Sequence, residues 1–194
     1  MIRCLPSVAL RLALCLVLNG KALAGDVAVV AVASLIDPAK LASLQGERAA
    51  NPRVLKCIYW LNDARARGLQ PATVVSDAQK RNLSAGQLRA PLVEAALLRN
   101  LDIAGKLGCL TQENLLRMRR GTSPVISRGP YTGELAEVDH IVPIAVEPAL
   151  GNEIANLELL PRTLNRRKGA TMGARQRDFL EKFRASDLFE SVAR

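Results

Sequence analysis

A single histidine, His140, serves the whole chain, and cysteine is nearly as scarce, with four in 194 residues. No two cysteines stand in a CxxC spacing. Structural zinc sites draw on several closely paired thiolate or imidazole ligands, so that class is excluded. There is no internal repeat and no low-complexity tract. Nor does any apolar run reach the ~20 residues needed to span a bilayer.

What is present begins with a leader. Arg3 and Arg11 are basic, Leu12 to Leu18 is an apolar core, and Ala22-Leu23-Ala24 offers a small-x-small cleavage site. This is the pattern of a secretory signal peptide over residues 1–24, cut before Gly25. The expected product is exported, periplasmic or extracellular, with no membrane association after cleavage. Loss of 24 from 194 residues leaves 170, enough for one domain or one compact domain with a helical extension. Cys4 and Cys15 leave with the leader. Export carries Cys57 and Cys109 into an oxidising compartment, where a disulfide between them is expected. Such a bridge would contribute about 4 kcal/mol in the chain-entropy model; the alternative is two buried thiols.

The formal net charge is +9, and the leader carries Arg3, Arg11 and Lys21 without an acid, so the mature chain holds +6. Residues 162–184 alone contain eight basic side chains (162, 166, 167, 168, 175, 177, 182, 184) against Asp178 and Glu181. The remainder is therefore close to neutral. Charge concentrated in this way points to a polyanionic partner. Without a neighbouring motif it would equally describe a solvated helix face.

Residues 25–51 read as an Ala-rich, weakly structured lead-in, with ordered structure starting near Pro52. Val54, Leu55, Ile58, Tyr59 and Leu61 recur at helical spacing up to Gly68. Ser76-Asp77 is positioned to cap a short helix, and Ser84 with Gln87 forms a capping-box pattern. Pro91 suits the first turn of a helix running toward Gly108, and Thr111 caps another that stops at Gly121. The region 52–121 is thus all helix, and its apolar stripes read as core. Composition changes at Gly121, and residues 122–190 form a second unit. Leu135 to Val142 has extended character, ended by Pro143; Leu157 to Leu160 is a second short strand. Pro161 and Gly169 bracket a short helix, and Met172, Phe179, Leu180 and Phe183 stripe a last one.

The chemistry-bearing residues fall inside this second unit. Asp139-His140 opens the run Asp-His-Ile-Val-Pro, followed by Asn156-Leu157-Glu158-Leu159-Leu160-Pro161 and Asn165-Arg166-Arg167-Lys168-Gly169. Breaking a phosphodiester requires a deprotonated water, an offset for phosphate charge and a stabilised leaving oxygen. Imidazole exchanges protons near neutral pH. A divalent cation meets the other two needs. Asp139 and Asn165 supply hard oxygen ligands, which suit magnesium or manganese. Arg162 and Lys168 lie three residues either side of Asn165, on about the same helix face, where they could hold phosphate. Arg166 and Arg167 are adjacent and point in different directions. Glu137 shares the face of Asp139 in a strand and could orient a basic group or a water. Asp139 and His140 address one phosphate only if the strand bends or ends there.

In this order of strand, loop, strand and helix, the segment over about 134–170 resembles the HNH endonucleases, the ββα-metal nuclease superfamily, of an exported type. The resemblance implies an α+β protein: an N-terminal helical part, then a small ββα-metal nuclease core and a C-terminal helix. It implies that His140 is the general base and that Asp139 and Asn165 bind one divalent metal ion, Mg2+ before Mn2+. Asn156 then occupies the central position that braces the loop and orients the histidine. Arg162, Arg166, Arg167 and Lys168 become the nucleic-acid contacts. The expected products carry 5′-phosphate and 3′-hydroxyl ends. The chain departs from the letters H-N-H in having Asp-His first and Asn last, and it lacks the paired CxxC motifs of many relatives. The expected substrate is DNA rather than RNA, cut with low sequence specificity. The alternative is an exported, non-catalytic binder of nucleic acid or another polyanion that keeps the same shape.

Overall fold

The computed structural model describes residues 27–82 and 89–192, with side chains through 186. The expected leader and the Ser84–Gln87 pattern lie outside that range. Helical turns over 27–35 (α1) lead into α2 (Pro38–Ala42), α3 (Asn51–Ala66), α4 (Pro71–Arg81), α5 (Ala90–Lys106) and α6 (Gln112–Arg119). Strands β1 (Ala136–His140) and β2 (Leu157–Pro161) follow, then α7 (Arg162–Lys168) and α8 (Ala174–Val192). The protein is α+β. Among the described residues no helix is long and apolar enough to cross a membrane.

Local chemistry accounts for most boundaries. Proline occupies the first turn of α2, α3, α4 and α5, where its missing N–H costs nothing and its fixed φ suits the helix. Ser76 and Asp77 do not cap a helix: they lie inside α4, which starts earlier, at Pro71 after Gln70. Thr111 caps α6 by accepting from the Asn114 N–H at 3.3 Å. Gly121 leaves α6 with φ +79°, and a Cβ there would meet Pro52 Cβ at 2.8 Å, so a larger residue would push α3 away.

Residues 27–42 are ordered, contrary to the expected lead-in. Ala28, Val32, Ala33, Ile36 and Leu41 are buried in the main core, and Asp37 caps α2 from its side chain. Small side chains let this segment pack closely, which a periodicity of large apolar residues does not reveal. The same core takes in Val54, Ile58 and Leu61 of α3, Leu97 and Leu101 of α5, and Val138, Leu157 and Leu159 of the hairpin. The helical part and the hairpin therefore share one core. Cys57 and Cys109 are free thiols here, not a bridge. Each sits in the apolar core as a small hydrophobe, and burial pushes their pKa values up to about 12 and about 11.

A two-stranded sheet is marginal by itself. β1 and β2 pair antiparallel from Ala136 opposite Pro161 to His140 opposite Leu157. Asparagines on helices complete their outer edges. Asn100 of α5 is fully buried, donates to Leu157 O at 2.9 Å and accepts from Leu159 N at 2.7 Å, as a third strand would. Asn51 of α3 donates to Val138 O on the opposite edge at 2.7 Å. Asn114 of α6 pairs likewise with Val125, at 2.7 and 2.8 Å.

At its N-terminus α7 has no side-chain cap of its own. Glu134, just before β1, supplies one, accepting from Thr163 N at 3.0 Å and from Thr163 Oγ1 at 2.8 Å. A carboxylate there also meets the positive end of the helix dipole. Glu134→Ala should therefore destabilise the protein by about 1 kcal/mol in urea unfolding, the usual scale of a lost cap; no loss would show that α7 is held by other contacts.

Candidate active site

Period-two alternation places Glu137 and Asp139 on one face of β1 and Val138 and His140 on the other, where His140 is 4% exposed. The strand ends at His140, and this lets the two neighbours approach: His140 Nδ1 stands 4.0 Å from Asp139 Oδ1. His140 Nε2 lies 2.8 Å from the carbonyl of Gly151. A carbonyl can only accept, so Nε2 carries the hydrogen and the lone pair of the neutral ring sits on Nδ1, beside Asp139.

Asn156 holds the loop that makes this possible. It is fully buried. Its Oδ1 accepts from Val142 N at 2.8 Å, and its Nδ2 donates to Val142 O at 3.0 Å and to Leu150 O at 3.3 Å. Its own carbonyl accepts from Ile141 N at 2.7 Å. The side-chain amide thus prolongs the ladder beyond His140 and ties the loop on either side of Pro143 to the segment carrying Gly151. Asn152 adds a tether to the helical part, donating to Leu44 O at 3.2 Å.

The helix α7 brings two further groups to β1. Glu137 receives Arg162 Nε at 2.8 Å and Asn165 Nδ2 at 3.0 Å. Burial pushes the Glu137 carboxyl up, but these two hydrogen bonds and the charges of Arg162 and Arg166 outweigh it, holding the group below the ordinary carboxylate range. Because Asn165 spends its nitrogen on Glu137, its amide oxygen is the atom left for a cation. Lys168 Nζ lies 2.6 Å from Asp139 Oδ2 and also donates to the main-chain oxygen of His140. The spacing of Arg162, Asn165 and Lys168 does give a common face, but it turns them toward the acids of β1. Arg162 and Lys168 are ion-paired, and Arg166 and Arg167 are the exposed bases of α7.

Asp139 stands opposite Glu158 across the hairpin. Two acids in that register repel unless each is neutralised. Lys168 serves Asp139. Glu158 is met by Arg99 Nε at 3.0 Å and by Arg175, whose Nη1 donates at 2.8 Å and whose Nη2 also contacts it. Both guanidinium groups stack over Phe179, at 5.3 and 5.6 Å from the ring centre. Burial draws the Arg99 pKa down; the hydrogen bond to Glu158 raises that of Arg175. This cluster joins α5, β2 and α8 behind the site.

The oxygen donors on β1 and α7 are of the kind that divalent cations accept. Magnesium takes only one or two carboxylates from a protein and fills the rest of its octahedron with water and phosphate. Asp139 and the Asn165 amide oxygen are donors of that kind. No three His, Cys, Asp or Glu side chains converge on a metal site among the described residues. No protein-family model, curated protein or solved structure matches this chain.

Sequence reasoning missed the Gly151 carbonyl, Glu134 and the asparagines on the helices. A backbone carbonyl leaves no residue signature. Asn100 did leave one: it follows Ala96 by four residues on the apolar stripe of α5, where a lone polar side chain must find a partner.

Proposed function

We propose that this chain is a metal-dependent endonuclease of the HNH, or ββα-metal, type, hydrolysing phosphodiester bonds of DNA with low sequence specificity after export. The observation that carries the reading is the pinned imidazole: His140 gives its Nε2 hydrogen to Gly151 and keeps Nδ1 bare beside Asp139.

Asp139 and Asn165 would hold one Mg2+ or Mn2+, which when bound offsets charge on the phosphate and on the departing oxygen. His140 Nδ1 accepts the proton of an incoming water. The water oxygen bonds to phosphorus, the P–O3′ bond breaks, and the 3′ oxygen takes a proton from solvent, leaving 5′-phosphate and 3′-hydroxyl ends. Glu137 is a positioning residue: it fixes Arg162 and the orientation of the Asn165 amide. Arg166 and Arg167 face solvent and supply contacts to the backbone that do not depend on sequence.

Conversion of supercoiled plasmid to nicked and linear forms tests the proposal. Cleavage is expected with Mg2+ or Mn2+, and none with EDTA. Asp139→Asn should lower the rate by about 100-fold or more, as loss of a metal ligand or its immediate support does. Cleavage that persists in EDTA would rule out the metal. Plasmid retention without cleavage under any divalent ion would favour a non-catalytic polyanion binder.

A further inference from the structure

The site contains a cation of the protein's own. Lys168 is the last residue of α7, and its ammonium sits on Asp139 Oδ2 at 2.6 Å while donating to the carbonyl of His140. Both side chains of the pair are mostly shielded from water, 19% and 21% exposed. Arg162, the other paired base of α7, is engaged by Glu137 and does not share this oxygen.

A magnesium ion bound to a carboxylate oxygen lies ~2.1 Å from it. An ammonium nitrogen at 2.6 Å from the same oxygen fills that space, and its charge opposes the approach of a second cation over so short a distance. We propose that Lys168 competes with the divalent metal for Asp139 and so determines how tightly the site takes it. The inference rests on the metal reading above. Metal entry requires the lysine to leave Asp139. Its departure also gives up the hydrogen bond to the His140 carbonyl at the end of β1.

The test is Mn2+ binding to the full chain, by calorimetry and by the electron paramagnetic resonance signal of free Mn2+, with no nucleic acid present. Wild type is expected to bind one ion and Asp139→Asn to lose it. Lys168→Met should bind about tenfold more tightly, the scale of one partly shielded charge pair. Lys168→Arg, which keeps the positive charge beside Asp139, should not bind more tightly than wild type. Equal or weaker binding by Lys168→Met, with Asp139→Asn still deficient, overturns the competition and leaves the metal reading standing. Unchanged binding by Asp139→Asn overturns the metal reading and the competition with it. Should thermal unfolding show Lys168→Met to be unfolded, Lys168→Gln keeps a donor for the His140 carbonyl and is judged by the same two outcomes.

Discussion

Replacing His140 with alanine should sharply lower plasmid cleavage while leaving plasmid retention intact. General-base catalysis by a positioned side chain contributes roughly 10²–10⁴-fold, so the rate in Mg2+ should fall within that range. Affinity should hold, because the backbone contacts proposed above, Arg166 and Arg167, lie on α7 and not on β1. A gel-shift titration run beside the cleavage assay separates the two. Cleavage by His140→Ala at the wild-type rate would remove the imidazole from the chemistry. Loss of both binding and cleavage, with an altered thermal transition, would mean that the substitution had unfolded the loop it anchors to Gly151.

The second large effect concerns stability. Asn156→Ala strips the side-chain partners from Val142 N and Val142 O and one of the two donors from Leu150 O, which still accepts from Glu153 N. A buried polar group left unpaired costs about 1–3 kcal/mol. Water entering the space would recover part of the loss, so about 3 kcal/mol overall is expected, or roughly 10 °C in Tm for a domain of this size. By contrast, an exposed pair such as Lys182 with Asp178, both more than half exposed, should matter by about 0.5 kcal/mol or less. Thermal and urea unfolding of Asn156→Ala, with Lys182→Ala as comparison, decide the matter. Similar small losses in both would mean that the loop does not depend on this amide.

Much of the order of elements after residue 52 was legible because local signatures mark it: Pro91 near a helix start, Thr111 as a cap, β-branched residues in a run ended by Pro143, and Pro161 and Gly169 around α7. The face shared by Glu137 and Asp139 follows from a period of two, and that of Arg162, Asn165 and Lys168 from a spacing of three. Which way that second face turns was not legible. Bases that suggested phosphate contacts prove to be held by acids one strand away, a relation visible only once α7 lies on β1. Residues 27–42 escaped notice because their buried side chains are mostly small. The expected Cys57–Cys109 bridge was argued from compartment, not geometry; the structure gives both thiols to the core.

The borrowed edges of the hairpin have a last consequence. β1 and β2 are completed by Asn51 and Asn100, which arrive from helices far earlier in the chain. The motif is therefore not a portable cassette. A fragment reduced to 134–170 would retain every letter of the signature yet lack the scaffold that gives those letters their positions.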